Sequence, residues 1–393
     1  MNELVKIPMA FILEMDDVGW DDGRDLRLNG QASRSGLPRH HAVEDYELLK
    51  RLTEATGKHI AAALCVADWD KDNILRGEVG ITHDPYGWNR ASQIDVAKHR
   101  RCLDILENAN VDYILHGVLH GRYDEAGNLI TEHEILEKRV EADGVERLSL
   151  VSEEDLERRI ELFFKIYESW GLDRSKIKTY VAPCGLGDAS EETVKRIAPI
   201  LYKHGIRYWA ETFKFPEFEG NLKVYSGVAL FRWCRNETRM PWEAYDIDPR
   251  TLKTFNGGES DREICLHGSH WTNYLRFNPE NNFVNIPKWV DFYKRQGEVF
   301  GSMNAETLAE AVNQLFYYEY AMMECGENEC VIDLSGVLEN ALDCHNNEFY
   351  ISLKNTANID LCEGGAVSLH EEHNSFRIYK IKHTGNTVRI KLK

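Results

Sequence analysis

The sequence lacks long apolar runs and an excess of positive charge. Its 393 residues include no uninterrupted apolar segment of the roughly 20 residues that a membrane-spanning helix requires. The first apolar run, residues 7–13, stops at Glu14 and has the wrong composition for a secretory signal. Lys and Arg number 47 against 65 Asp and Glu, which gives a formal charge of −18 that repels nucleic acid and anionic membranes. We therefore expect a cytoplasmic protein with a neutral or cationic substrate and with neither nucleic acid nor membrane as a partner.

The cysteine pattern lacks the features of a disulfide framework. The nine cysteines are odd in number and include no pair separated by two residues. Such a set is typical of scattered core and surface thiols, and it favours a reducing compartment. Internal repeats and low-complexity linkers are also missing. A second domain should therefore pack against the first instead of swinging from it.

What the sequence does contain is an alternation of short apolar runs with longer amphipathic segments over the first three hundred residues. This pattern predicts repeated strand–helix units, with clear helices at 44–56, after Ser152 and near 189–204. The predicted strands are 8–15, 59–66, 111–115, 177–182, 205–209, 223–230 and 263–266. Seven parallel strands with interleaved helices predict an α/β fold, a distorted (β/α)7 barrel whose functional groups collect at the C-terminal ends of the strands.

The pattern changes after a helical segment at 304–324. Alternating residues bounded by turns predict strands at 330–334, 349–353, 376–382 and 387–392. We expect a barrel domain over residues 1–325 and a small, β-sandwich-like all-β domain over residues 326–393. Its expected role is structural, with carbohydrate binding as the alternative.

Two adjacent carboxylates, Asp16 and Asp17, follow the first predicted strand. Successive residues at a strand end face different directions, so each carboxylate can take a separate task. One can bind a metal while the other acts as a general base. Taken alone, such a pair more often begins a loop or caps a turn. The assignment therefore depends on the histidines that follow.

His116 and His120 follow the third predicted strand. Their four-residue spacing can bring two imidazoles to one side of a helical turn, as metal ligands require. Such a spacing also arises by chance in a chain with 15 histidines, and its position after a strand strengthens the signal. Two histidines and Asp17 would leave open positions on a divalent metal, as in a catalytic site. Asp16 could then accept the proton of a metal-activated water.

Two further clusters lie at predicted strand ends. His267 and His270 follow the last strand, and either could protonate a leaving group, although each could equally be a hydrogen-bonded loop histidine. Pro183 and Gly185 follow the fourth strand. A rigid proline and a flexible glycine suit a turn that directs a backbone N–H toward an oxyanion.

The order of these clusters resembles that of the polysaccharide deacetylase family, also called the NodB-homology or carbohydrate esterase family 4 group. The resemblance covers roughly residues 7–300. The segments that carry it are Met15-Asp16-Asp17, His116-Gly-Val-Leu-His120, Val181-Ala-Pro183-Cys-Gly185 and Leu266-His267. The H-G-x-x-H and H-G-S-H-W forms resemble an uncharacterised branch of the family.

The resemblance implies a role for each matching residue. It makes Asp16 the catalytic base. It makes Asp17, His116 and His120 the ligands of a divalent metal, with zinc first and cobalt, nickel or manganese as alternatives.

The acid and the oxyanion site also follow from the resemblance. His267 takes the place of the family's catalytic acid, with His270 as the alternative, and the backbone N–H of Cys184 would complete the oxyanion site. Two positions depart from the family pattern. Val181 stands where the motif has arginine, and Arg207 stands where the family has an acidic residue.

Residues of the predicted strand-end loops are expected to contact the substrate. In the resembling branch, residues of the loop after the first strand face the substrate, and sugar rings stack on tryptophan faces. The predicted substrate residues are Arg39, His40, His41, Trp20, Trp209 and Trp271.

These features lead us to expect a metal-dependent carbohydrate deacetylase, which would remove an N- or O-acetyl group from a sugar or small glycan. The first alternative is glycoside hydrolysis, because Glu14, Asp16 and Asp21 crowd one loop. The second is a carbohydrate-binding protein that kept the barrel and lost turnover. The sequence predicts neither the sugar nor the oligomeric state.

Overall fold

The computed structural model describes residues 4–19, 39–140, 144, 146–186, 190–211, 220–232, 234–235 and 266–393. The strands before the last long helix are β1 Val5–Lys6, β2 Met9–Val18, β3 Ile60–Cys65, β4 Val111–Gly117, β5 Arg122–Tyr123, β6 Leu129–Thr131, β7 Leu136–Val140, β8 Glu146–Leu150, β9 Thr179–Val181, β10 Tyr208–Glu211, β11 Leu222–Tyr225, β12 Val228–Arg232, β13 Cys234–Arg235, β14 Leu266–His270 and β15 Ser302–Asn304. Those after it are β16 Met322–Cys325, β17 Glu329–Asp333, β18 Glu348–Lys354, β19 Ile359–Glu363, β20 Gly365–Glu372, β21 Phe376–His383 and β22 Thr387–Leu392. The helices are α1 Val43–Thr56, α2 Val96–Glu107, α3 Glu153–Ser169, α4 Glu191–Lys203, α5 Ile286–Gly297, α6 Leu308–Tyr320 and α7 Ser335–Asn340.

A curled, mainly parallel sheet forms the centre of the molecule. Its hydrogen-bonded order is β11-β12-β10-β9-β4-β3-β2-β14-β13, and β15 also pairs with β2. Within it β11 runs antiparallel to β12, whereas the neighbours from β12 to β13 are parallel. The predicted α/β class is confirmed.

β12 and β13 lie near opposite ends of the strand order and are close in the sequence. β12 ends at Arg232 and pairs with β10, and β13 begins at Cys234 and pairs with β14. Consecutive Cα atoms are about 3.8 Å apart, so these two strands cannot be far from each other. The sheet is therefore strongly curled, while the closed seven-stranded count stays a prediction.

β2 lies deep in the sheet, and all ten of its residues are buried. Leu13 and Met15 belong to the core cluster that includes α1 to α5, and Ala10 and Ile12 belong to the cluster that includes α6. A strand covered on both faces reads as a continuous apolar run, as this one does until its end. The carboxylates that follow are buried too, and buried charges require partners.

The predicted helices at 44–56 and after Ser152 are confirmed. α1 ends at Gly57, whose φ of 69° lies in the left-handed region and whose N–H donates to the Thr53 carbonyl. Glycine adopts this conformation without steric cost, which explains the end of the helix. At the start of α3, the Ser152 hydroxyl accepts a hydrogen bond of 3.1 Å from the Asp155 N–H.

The single strand predicted at 223–230 is wrong, because this segment is a hairpin of β11 and β12. Tyr225 pairs with Val228, and the turn residues Ser226 and Gly227 have φ values of 49° and 80°. Two consecutive residues with positive φ reverse the chain in a tight turn. The apolar residues on both sides concealed the turn in the sequence.

The residues after α6 form two four-stranded antiparallel sheets with a short helix, α7, between strands. One sheet has the order β1-β18-β21-β20 and takes β1 from the other end of the chain, and the other has the order β16-β17-β22-β19. The sequence did not predict β16, β19 or β20. β16 lies before the predicted domain boundary at 325 and yet pairs with β17, so the boundary stays a prediction.

These sheets pack at the N-terminal ends of the central strands. Lys58, two residues before β3, lies 3.2 Å from a Glu371 oxygen of β20, and Arg207, directly before β10, lies 2.9 Å from Asp343. Gln314 of α6 lies between the two parts and donates to a carbonyl before β2 and to one in β18. The C-terminal ends of the central strands are therefore at the opposite end of the molecule.

One pair of cysteines corrects the expectation of scattered thiols. Cys325 and Cys330 form a disulfide, because the β16–β17 hairpin places them directly opposite each other with Cα atoms 4.1 Å apart. In the part of the chain that the structure describes, no helix combines the length and apolarity needed to cross a bilayer.

Candidate active site

Asp16 and Asp17 directly precede Val18, the last residue of β2, and both are fully buried. The register between β2 and β3 shifts between Met15 and Val18, and Asp17 has a φ of 64°. Bulges of this kind redirect side chains, and left-handed non-glycine residues cluster at functional sites. The irregularity lets two adjacent carboxylates reach the same histidine.

The predicted histidines converge on this carboxylate pair. The Nε2 atoms of His116 and His120 lie 3.4 and 3.7 Å from Asp17 Oδ1. His270 Nε2 lies 3.8 Å from Asp17 Oδ2, and His116 Nε2 lies 4.0 Å from Asp16 Oδ1. The structure thus brings together five of the residues that the sequence pointed to.

The two metal-spaced histidines do not share a helical turn, as the spacing had suggested. His116 lies in β4, and His120 follows it with a φ of 47°. The turn between them is fixed by the buried carboxylate of Glu134, which accepts a hydrogen bond of 2.9 Å from the Val118 N–H. A Cβ on Gly117 would lie 1.9 Å from Glu134 Oε2, so a larger residue here would displace that carboxylate.

The ring of His116 is held in one orientation. Its Nδ1 lies 2.9 Å from the carbonyl oxygen of Val181. A carbonyl only accepts, so Nδ1 donates to it and Nε2 is the ring atom that faces Asp17. This arrangement is common among metal-bound histidines. Val181, which replaces the family's arginine, thus contributes through its backbone.

The electrostatics of the site favour an ionised Asp17. Burial alone would raise its pKa, but His120, His116 and His270 outweigh it and hold the pKa of Asp17 below its ordinary value. Asp17 Oδ2 and His116 Nε2 are buried and have no hydrogen-bond partner among the described residues. Such atoms are costly unless something binds them. With two imidazoles and a carboxylate as donors, the site fits a divalent metal.

The structure adds Cys65, which the sequence analysis did not single out. Its sulfur lies 3.9 Å from Asp17 Oδ1. Cys65, Asp17 and His116 each offer an atom within 4.8 Å of the others. One signal could have found it: Cys65 ends the second central strand, at the same edge as the other site residues.

Cys184 occupies the turn after β9, with a φ of 57°. Its thiol lies 3.4 Å from Glu132 Oε2, and these two residues form a second potential ligand group with His120. The proposed oxyanion position therefore lies on the same side of the site as His120.

The residues at 39–41 lie beside α1 and α2. The guanidinium of Arg39 donates two hydrogen bonds of 2.8 Å to Asp45, so this side chain holds the loop against α1. His40 and His41 line a cavity of about 550 Å³. The ring of His41 packs edge-on against Trp271, with centroids 4.6 Å apart.

Two of the predicted stacking tryptophans belong to the core. Trp209 and Trp271 are completely buried, so neither ring presents an open face to a sugar. Trp20 and Asp21 lie outside the described residues. The side chain of His267 lies outside them as well, although its backbone pairs with Leu13 of β2.

Comparison with known proteins finds distant structural similarity. No protein-family model and no curated protein matches the chain. A family 4 carbohydrate esterase from Streptomyces lividans, solved in complex with acetate, aligns over 75% of this chain and 91% of its own with 9% identity and a TM-score of 0.34. A Mycobacterium smegmatis protein assigned as a polysaccharide deacetylase aligns over 78% and 90% with 10% identity and a TM-score of 0.39. An endogalactoceramidase aligns over 98% and 96% with 10% identity and a TM-score of 0.31. Likenesses this distant carry no argument, so the function has to be inferred from the side chains of the site.

Proposed function

We propose that the chain is a metal-dependent hydrolase that removes an acetyl group from a sugar or small glycan. The observation that carries this proposal is the convergence of His116 and His120 on Asp17, with a second carboxylate 4.0 Å from His116. These three residues would hold zinc, or cobalt, nickel or manganese in its place, and leave room for water and substrate. When bound, the metal would supply Lewis acidity, which lowers the pKa of water and polarises an acyl carbonyl.

The neighbouring residues would move the protons. Asp16 is the proposed general base, because it is next to the ligand Asp17 and faces the same histidine. His270 is the proposed acid for the leaving group, since its Nε2 lies near Asp17, and His267 is the alternative. The backbone N–H of Cys184 is proposed to stabilise the oxyanion.

The proposed fold that carries this chemistry is a seven-stranded (β/α) barrel over residues 1–325, followed by a β-domain over 326–393. Closure is supported by the short connection from β12 to β13, which are near opposite ends of the strand order. A cytoplasmic location, an acetylated sugar as partner, and the absence of nucleic-acid and membrane partners belong to the same proposal.

Glycoside hydrolysis is the second candidate. It is favoured by Glu14, which is buried and lies two residues before Asp16 on the same face of β2. Alternate residues of a strand point to the same side of the sheet, so both carboxylates would face one side of β2, as a pair of glycosidase carboxylates requires. Release of reducing sugar without acetate would identify this activity.

The first test measures metal content and acetate release together. Wild type prepared without chelator is expected to hold about one metal ion per chain and, with zinc or cobalt, to release acetate from a panel of N- and O-acetylated saccharides. His116→Ala should lose both, whereas His204→Ala, at the C-terminal end of α4, should keep both. No metal after zinc reconstitution would exclude the hydrolase mechanism. Tight glycan binding with no turnover would indicate a carbohydrate-binding protein.

A further inference from the structure

We propose that Cys65 is a fourth protein ligand of the metal and binds it as a thiolate beside Asp17, His116 and His120. This inference rests on the metal site of the proposed function. It also goes beyond it, because two histidines and an aspartate suffice for the activity and do not call for a sulfur.

Two register shifts in neighbouring strand pairs lie close to Cys65 and Asp17. The register between β2 and β3 shifts at Asp17, and the register between β3 and β4 shifts between Leu64 and Cys65. Bulges in neighbouring strands redirect their side chains. They leave the Cys65 sulfur 3.9 Å from Asp17 Oδ1, within the same 4.8 Å group as a ring nitrogen of His116.

Core packing alone does not explain why the sulfur lies against a carboxylate. A buried cysteine usually behaves as a small apolar side chain and contacts other apolar groups. Cys65 is only 2% exposed and belongs to the core cluster, and its sulfur also faces the fully buried carboxylate of Asp17. A thiol is a weak hydrogen-bond donor and compensates such a carboxylate poorly. A cation between the sulfur, the oxygen and the His116 nitrogen would compensate all three.

The proton balance of this binding is simple. The S–H bond of Cys65 breaks when the sulfur–metal bond forms, and the proton passes to the solvent. No oxidant or reductant takes part. Binding is therefore expected to weaken as the pH falls.

A thiolate would also determine which metals bind. Sulfur ligands favour zinc, cadmium and cobalt over magnesium and manganese, which prefer oxygen. Of the metals proposed above, manganese should therefore be the weakest.

Absorption spectroscopy of the cobalt-substituted full-length protein tests the proposal. A cobalt–thiolate bond gives an intense near-ultraviolet charge-transfer band, whereas cobalt bound by nitrogen and oxygen alone gives only weak visible bands. We expect the intense band in wild type and in Cys184→Ser, and its loss in Cys65→Ser with the visible bands kept. Cys184→Ser is the matched control because Cys184 belongs to the neighbouring potential ligand group.

The possible outcomes separate the two proposals. Visible bands in wild type without the charge-transfer band, or a band that persists in Cys65→Ser, would overturn the assignment of Cys65 and leave the hydrolase proposal intact. Wild type that binds no cobalt would overturn both. If Cys65→Ser does not fold, Cys65→Ala removes the sulfur without adding a buried hydroxyl, and the wild-type and Cys184→Ser spectra still decide whether a thiolate other than Cys184 binds.

Discussion

At the scale of single residues, adjacency in the sequence does not mean equivalence in the site. Asp16 and Asp17 lie near the same strand end, yet among the described side chains Asp17 lies within 4.0 Å of three histidines and Asp16 of one. The difference comes from the positive φ of Asp17, which turns its side chain away from the direction that strand geometry gives to its neighbour.

Asparagine substitutions should separate these two roles. Asp16→Asn is expected to keep its metal and to lose acetate release by about 100-fold or more, because a general base is removed. Asp17→Asn should lose metal as well, since a charged ligand becomes neutral. Metal analysis and acetate assays on the same preparations check both. Loss of metal in Asp16→Asn would assign this residue to the ligands.

Gly117 offers a second prediction at this scale. Gly117→Ala should displace the Glu134 carboxylate from the Val118 N–H and lower the free energy of unfolding by about 2 kcal/mol. Because that contact fixes the turn to His120, metal affinity should fall too. Gly385→Ala is the control, since a Cβ there would meet nothing within 4 Å. Urea unfolding and metal titration measure the two effects, and an unchanged metal affinity would contradict the proposed link.

At the scale of elements, the sequence was informative where a segment is buried on both faces or is capped. The continuous apolar run of β2 and the glycine that ends α1 each identified their element. The hairpin of β11 and β12 was missed because Ser226 and Gly227 stand between two apolar stretches. β19 and β20 were missed because most of their residues are exposed or half-buried, which leaves no clear alternation.

The site residues were likewise predictable only where their sequence pattern is distinctive. His116 and Asp17 were found because histidines and paired carboxylates are conspicuous at strand ends. Cys65 was missed because one cysteine at a strand end looks like any core thiol. Only the register shifts of β2 and β3, which no local pattern specifies, bring it to Asp17.

The C-terminus of α1 allows a prediction for an element. Gly57→Ala should lower the free energy of unfolding by about 1 kcal/mol, because alanine strains at a φ of 69° while its Cβ meets no atom within 4 Å. Metal content should not change, since this end of α1 precedes β3 and lies away from the site. Thermal unfolding beside the Gly385→Ala control measures the effect, and equal stability of the two variants would contradict it.

At the scale of the whole molecule, the candidate active site and the C-terminal sheets lie at opposite ends of the central strands. The potential metal ligands lie at the C-terminal ends of the central strands, whereas α6 and the two C-terminal sheets cover the N-terminal ends. The contacts of the C-terminal sheets place that region away from the proposed substrate entrance, and its structural role stays a prediction.

Acid stability provides a test at this scale. Burial, followed by the charge of His383, lowers the pKa of His345 from 6.5 to about 4. Above pH 6.5 the residue is neutral in both states and contributes nothing. Between pH 6.5 and about pH 4, this histidine is protonated in the unfolded chain and neutral in the folded chain. The free energy of unfolding therefore decreases as the pH is lowered through this window.

His345→Phe should therefore flatten that decline. The phenyl ring can keep the contacts with Phe316 and Tyr317, whose centroids lie 5.0 and 5.4 Å away. Between pH 7 and pH 4.5, wild type should lose about 2 kcal/mol more than the variant. Urea unfolding at both pH values measures this difference, with His40→Gln as an exposed-histidine control. Parallel pH profiles for wild type and His345→Phe would refute the assignment.

The pairing of β1 with β18 has a mechanical consequence. Val5 and Lys6 pair with Leu353 and Ser352, and after two intervening residues the chain enters β2, which contains the paired carboxylates near its end. A force that pulls the C-terminal sheets from the barrel would thus be transmitted along β2 to Asp16 and Asp17. In a stretching experiment, rupture of this sheet and release of the metal should therefore occur in a single event.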